Sequence, residues 1–314
     1  MVPIQVIRWY RMQCYDGTDS CATVVPIRRY CQIMKYLYLV LLLLPLKVLG
    51  QVKLQDVTIS GKQPKFVRLK GYYRSYQHND SLLKYYVDGI VEYYINLKNE
   101  KVYLRKYGCR YLRNEELISK DKKRAFMLSD QATFRPWPEG TTFIEECRKK
   151  YTIQDSANVG YIKKDSQTIG RITTDSIRKC CTIEMDMVPT YDKLSQNIFG
   201  YSQEIVSDKF TEAYRLSDED YYSFKNLIFQ KTDQSYNYWH KKDSHKQLIH
   251  VVTELFITEQ EYVDEKKKES GINLQPQEAT QAIENYISVH GLPLLSPEEQ
   301  AEMKKLQFYD PAKL

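Results

Sequence analysis

The chain has no glycine-rich phosphate loop, no HExxH pair and no nucleophile-elbow sequence, so the short signatures of phosphate binding, zinc hydrolysis and serine hydrolysis are all missing. It also lacks an apolar run of membrane-spanning length. A spanning helix needs about 20 apolar residues, and the longest run here, residues 36–46, supplies eleven before Pro45 and Lys47 close it. Cysteine is scarce beyond that run, with only Cys109, Cys147, Cys180 and Cys181. Four thiols can pair in three ways. Cys180 and Cys181 are neighbours on an expected strand and point to opposite faces, so they neither bridge nor chelate easily, and two buried and two surface thiols is the plainer expectation.

The apolar run carries an address. Residues 34–50 begin with a basic Lys35, continue through the run, and place Val48 and Gly50 at the −3 and −1 positions before Gln51. This is the pattern of a cleaved secretory signal, with an uncleaved anchor as the alternative. Residues 1–33 hold Cys14, Cys21 and Cys31 and no apolar periodicity. They read as a mis-annotated leader ahead of a true start at Met34, the other possibility being a long cytoplasmic leader. Gln51 onward is then expected outside the cytoplasm, in the periplasm or cell envelope. Residues 1–50 contain six basic and two acidic side chains, which leaves 40 against 38 in the exported part. That balance is not the footprint of a nucleic-acid binder.

Tyrosine is abundant, at 27 residues against 10 phenylalanines. Many tyrosines sit in alternating segments. Residues 66–76, 82–97 and 101–113 read as three strands of a meander, with turns at 78–81 and 98–100. In the second strand Tyr85, Val87, Gly89, Val91, Tyr93, Ile95 and Leu97 share one face, and Lys84, Tyr86, Asp88, Ile90, Glu92, Tyr94 and Asn96 share the other. The expectation is an antiparallel sheet with one dry face and one wetter face. On the wetter face a tyrosine ring covers its neighbours while its hydroxyl stays in water, or else the rings form an adhesive surface for a ligand.

Residues 115–151 break the alternation and predict a helical insertion. Thr142 and Glu145 spell a capping box, and Trp137, between two prolines, is either a recognition element or a pin for its turn. A hairpin turning at Asp165 and Ser166 follows, then a strand with Cys181, Ile183, Met185 and Met187 inward. Ser217 and Asp220 predict the start of a short helix through residue 229, and the acids 218–220 suit its first turn better than a metal site. A last hairpin at residues 235–257 runs into a charged segment, and helices are expected at 277–290 and after Ser296, making residues 271–314 a helical tail to a β-rich domain over 51–270. His240, His245 and His250 are five apart, which suits neither one helix face nor a compact ligand set. The sequence calls for no metal and no cofactor.

Residues 69–107, 183–206 and 251–263 resemble uncharacterised exported proteins of Bacteroidota, and the alternation of Tyr-rich strands is similar to the open half-barrels of LolA-type periplasmic lipoprotein carriers. The resemblance implies a curved antiparallel sheet that holds acyl chains against a helical lid. No functional residue carries over, because that group has no short motif to match. Asp80-Ser81-Leu82, Asp155-Ser156-Ala157 and Asp175-Ser176-Ile177 are similar to the Asp-Ser/Thr-apolar pattern that such bacteria glycosylate.

The combined expectation is an α+β, mainly β fold: a curved, half-barrel-like antiparallel sheet braced by short helices. It would act as a non-catalytic envelope binding or carrier module, with lipid, lipoprotein or an outer-membrane protein as partner. Tyr86, Tyr94, Trp137 and Trp239 are the candidate ligand-binding residues. The alternatives are an envelope hydrolase using His240, His245, Asp218 or Asp220, and a scaffold that pairs through a sheet edge.

Overall fold

Side-chain alternation over long, β-branched and tyrosine-rich stretches produces strands of up to 17 residues. In the computed structural model, residues 63–121, 142–156, 159–198, 200–216, 222–267 and 276–309 are described. The expected leader, the signal segment, Trp137 and the acids 218–220 lie outside them. The elements in chain order are β1 (Phe66–Asn79), β2 (Leu82–Asn96), β3 (Val102–Arg113), α1 (Glu115–Asp121), α2 (Phe143–Lys150), β4 (Thr152–Ser156), β5 (Val159–Lys164), β6 (Gln167–Asp175), β7 (Cys180–Asp186), β8 (Ser195–Ile198), β9 (Tyr201–Arg215), β10 (Leu227–His240), β11 (Gln247–Val263), α3 (Pro276–His290), α4 (Pro297–Met303) and β12 (Gln307–Phe308).

The strands form one curved antiparallel sheet that does not close, in the order β12-β3-β2-β1-β11-β10-β9-β7-β6-β5-β4, with β8 on β9. The fold is therefore mainly β, braced by a few short helices. Tight turns join neighbours, and Asp80 and Asp165 take the left-handed conformation that such turns demand, at φ 56° and 55°. The long-range join is β1 with β11, where Arg74 faces Glu254 and Tyr76 faces Val252.

One face of the sheet buries a single large cluster. It gathers Val67, Tyr73, Val87, Val91 and Tyr93 from β1 and β2, Ile162 from β5, Ile183 and Met185 from β7, Tyr214 from β9 and Leu255 from β11. Ile144 and Cys147 of α2 and Phe224 of a 3-10 turn pack into it. Those few covering groups are too small to bury so wide a face, so curvature brings its two halves toward each other, and this is the inner face. Gly89 lies on it because a Cβ there would come within 3.0 Å of both the Tyr73 ring and Cys109 Sγ.

The outer face of β1–β3 is buried as well, which corrects the expectation of a wet side. Ile283 and Tyr286 of α3 cover Tyr72 and Ile90, and Leu295 and Leu306, which flank α4, cover Tyr76, Tyr86 and Leu112. The C-terminal helices are therefore a layer of the fold, and β12 extends the sheet beyond β3. The Tyr72, Tyr86 and Tyr94 hydroxyls on that face bond to buried carboxylates.

Two local expectations also fail. Thr142 precedes α2 without capping it, and its hydroxyl donates to the Tyr222 carbonyl at 3.4 Å. The helix expected to run to residue 229 is absent from its described part. Phe224–Asn226 makes one 3-10 turn and Leu227 already begins β10, because the cross-strand partners Tyr214 and Ala213 claim Leu227 and Phe229. None of the four described cysteines is in a disulfide; Cys147 and Cys181 are buried and Cys109 and Cys180 half-buried.

Candidate functional site

Outward-facing positions on β1, β2, β3 and β11 alternate charge and tyrosine, and register decides what each charge meets. Asp88 is fully buried. Arg110, directly opposite on β3, forks onto it with Nε to Oδ1 at 2.8 Å and Nη2 to Oδ2 at 2.6 Å. Tyr72 and Tyr86 both donate to Oδ2, at 3.1 and 2.9 Å. Burial and then the Asp88 charge push the Tyr72 and Tyr86 phenols well above their ordinary range, so both remain donors.

Glu92, 2% exposed, repeats the arrangement one turn of the pleat away. It receives Arg105 Nη1 at 2.8 Å, Tyr94 hydroxyl at 2.9 Å and Arg68 Nη1 at 3.4 Å. Burial alone would raise the carboxyl, but the hydrogen bonds from Arg105 and Tyr94 outweigh it and hold Glu92 below the ordinary carboxylate range. A third pair, Arg74 Nε to Glu254 at 2.5 Å, also binds the Pro293 carbonyl between α3 and α4 and so fastens the helical layer. On the inner face Glu212 accepts from Tyr214 at 2.5 Å, from Gln230 at 2.8 Å and from the Ile144 amide at the start of α2. Each of these carboxylates is consumed by structure.

Farther along the outer face, His250 Nε2 lies 2.9 Å from Asp233, and the His78 ring stacks on His250 at 6.1 Å. Burial, followed by the His250 charge, lowers the His78 pKa, and its Nδ1 is buried without a hydrogen-bond partner. His240 is ten residues away on another strand end, and its ring packs on Tyr201 at 4.7 Å. His245 is exposed in the intervening turn. The three histidines do not converge, and no group of His, Cys, Asp and Glu with metal-holding geometry occurs among the described residues.

The turns next to the His78–His250 pair present side chains outward. The turns after β1, β8 and β10 lie together: Lys241 N donates to Gly200 O at 2.8 Å, and Asp80 N donates to Leu248 O at 2.6 Å. Tyr201 and Tyr238 stack at 5.9 Å on the inner side, while Trp239 carries Lys246 Nζ 4.2 Å over its ring. These aromatics are half-buried; Leu248, which pairs with Asn237 on β10, is 38% exposed, and Leu82 at the start of β2 is 46% exposed.

The candidate residues from sequence thus separate. Tyr86 and Tyr94 are buried, with their hydroxyls bound to Asp88 and Glu92. Trp239 belongs to the open end, and Trp137 is outside the described residues. Sequence reading missed Tyr201, Tyr238 and the lysines around them, although the run of Lys241, Lys242 and Lys246 directly after an aromatic pair was the available signal.

No family model and no curated protein matches the chain. Among solved structures the chain is similar to one of lipovitellin, described by its lipid–protein interactions, with a TM-score of 0.29 and 6% identity over 67% of this chain. The match spans 27% of the lipovitellin chain, and a likeness this slight carries no argument about fold or function.

Proposed function

We propose that the chain is an exported, non-catalytic binding module of the cell envelope that meets its partner with the turn end of β1, β8–β9 and β10–β11. The signal-like segment at residues 34–50 supports export. The observation that carries the binding reading is the contrast between two sets of aromatics. Tyr72, Tyr86 and Tyr94 of β1 and β2 are buried and hydrogen-bonded to carboxylates, whereas Tyr201, Tyr238 and Trp239 stay half-exposed at the ends of β9 and β10, where exposed Leu248 pairs with Asn237. Half-exposed aromatics next to exposed aliphatics are the composition of contact surfaces.

Two measurements test this. N-terminal mass analysis of protein from the envelope fraction is expected to find Gln51 first, and an intact Met1 or Met34 would refute export. Purified protein should co-sediment with isolated envelope membranes, and Y201A/W239A should lose that binding while His250→Gln keeps it. Loss with His250→Gln and retention with Y201A/W239A would move the site to the Asp233–His250 pair.

A further inference from the structure

We infer that the partner is a neutral oligosaccharide carried on the envelope, held on the inner side of this end by a row of glutamine side chains around Tyr238. The inference rests on the binding reading above and names its ligand. Register places the row. Residues directly opposite on neighbouring strands share a face. Gln196 of β8 lies opposite Gln203 of β9, Gln203 opposite Tyr238 of β10, and Tyr238 opposite Gln247 of β11. Tyr238 packs against the inner cluster, so all four belong to the inner face. At the spacing of neighbouring strands they cover about 14 Å, room for a chain of sugar rings rather than a single one.

The amides single this row out. Elsewhere on the sheet such side chains are committed: Gln230 donates to Glu212 at 2.8 Å, Gln234 to Asp208 at 3.0 Å and Asn237 to Glu204 at 3.3 Å. Gln196, Gln203 and Gln247 make no side-chain hydrogen bond among the described residues, although Gln203 and Gln247 are half-buried. Each offers donors and an acceptor together, which the hydroxyls of a sugar, themselves donor and acceptor at once, can satisfy. Between the amides, Tyr238 and Tyr201 lie within 12° of parallel at 5.9 Å, and His240 packs on Tyr201 at 4.7 Å. The negative face of a half-exposed aromatic ring attracts the polarised C–H groups on the flat side of a sugar.

Charge excludes other ligand classes. The next rows on the same face are Tyr201 with His240 on one side and Ile205, Tyr236 and Ile249 on the other, so three successive rows carry no carboxylate, ammonium or guanidinium. Glu204 alternates with Gln203, which puts its ion pair with Lys246 on the opposite face. An anionic ligand therefore meets no lysine or arginine in these rows. An acyl chain would bury the amides of Gln203 and Gln247 without partners, which is unfavourable.

The test applies protein recovered from cells to an array of immobilised neutral oligosaccharides, comprising glucans, mannans, galactans and chitin fragments, beside sulfated and uronic-acid chains. Binding to a neutral oligosaccharide is expected, at low and high salt alike. Q203A/Q247A should weaken it about tenfold, the effect of two lost hydrogen bonds. An unchanged unfolding midpoint shows that this variant folds; were it shifted, Gln196→Ala, at an exposed position, should weaken binding in its place. The soluble form of the bound oligosaccharide should also displace the protein from isolated envelope membranes. Binding confined to the anionic chains, loss of binding at high salt, an unaltered Q203A/Q247A protein or no displacement from membranes overturns the inference. Co-sedimentation with envelope membranes without binding to any oligosaccharide overturns it while leaving the binding reading intact; absence of both removes both.

Discussion

Val91 and Glu92 are neighbours on β2 to which alternation assigns opposite surroundings, one in the core and one in water. Val91 is in the core, and Val91→Asp should cost several kcal/mol by burying an unpaired charge. Glu92 is equally buried, so a change there is not the mild surface substitution of about half a kcal/mol that alternation implies. Glu92→Lys removes the shared acceptor of Arg68, Arg105 and Tyr94 and adds a third cation, a loss of about 3–5 kcal/mol. Urea unfolding of the two variants should give comparable decreases, and a small effect of Glu92→Lys would mean that the outer face is wetter than the structure has it. His78 supplies a pH dependence. Its folded pKa lies below the ordinary 6.5 because burial disfavours the cation, so on acidification the unfolded chain takes up a proton the folded chain resists. Stability is full above about pH 6.5 and falls as pH drops toward the folded value. His78→Gln should show a flatter loss between about pH 7 and 5. Glu92 works in the same direction lower down, its contribution present above the ordinary 4.5 and lost as pH falls through its folded value.

At the level of elements, the signals that succeeded were local and redundant. The meander of β1–β3 shows alternation and turn residues together, the β5–β6 hairpin turns at Asp165 and Ser166 as expected, and α4 begins where Ser296, Pro297 and Glu299 place it. Its capping box is complete, with Ser296 Oγ accepting from the Glu299 amide at 3.2 Å and Glu299 accepting from the Ser296 amide at 2.9 Å. Ser296→Ala should therefore cost about 1 kcal/mol, read as a lower unfolding midpoint. The failures came where a local signal competed with a distant partner. Ser217 and Asp220 suggested a helix, but β9 pairs with Leu227 and Phe229, and β11 adds a second ladder at Phe229. The long β9 itself went unread, because Gln203, Glu204, Ser207, Asp208 and Lys209 make it polar, and only its place between β10 and the β7–β8 edge makes it a strand. Ladders on both of its edges supply the pairing that the side chains of β9 do not advertise.

For the molecule as a whole, the β1–β11 pairing joins residues about as far apart as the sheet allows, and α3 and α4 then seal the outer face against Tyr72, Ile90, Tyr86 and Leu112. Ile283→Asp should open that seal, exposing Asp88, Arg110 and their tyrosine partners to water, with a loss of several kcal/mol and faster amide exchange in β2. With no described cysteine in a disulfide, a reductant should leave the unfolding midpoint unchanged; a decrease would reveal a disulfide. Composition and periodicity were enough for the fold class, the meander, the C-terminal helices and the export signal as an expectation, because each is written in residues close together in the chain. Which face of β2 is dry was beyond them: Lys84, Asp88 and Glu92 look solvated until register sets Arg110 and Arg105 opposite the two acids and the helical layer closes above. The turn end was partly hidden, since Asp80 and Leu82 come from a segment about 160 residues before Lys241 and Leu248 and meet it only when β1 lies beside β11. Alternation along a strand reports which side chains share a face, and burial depends on what the rest of the chain lays over that face.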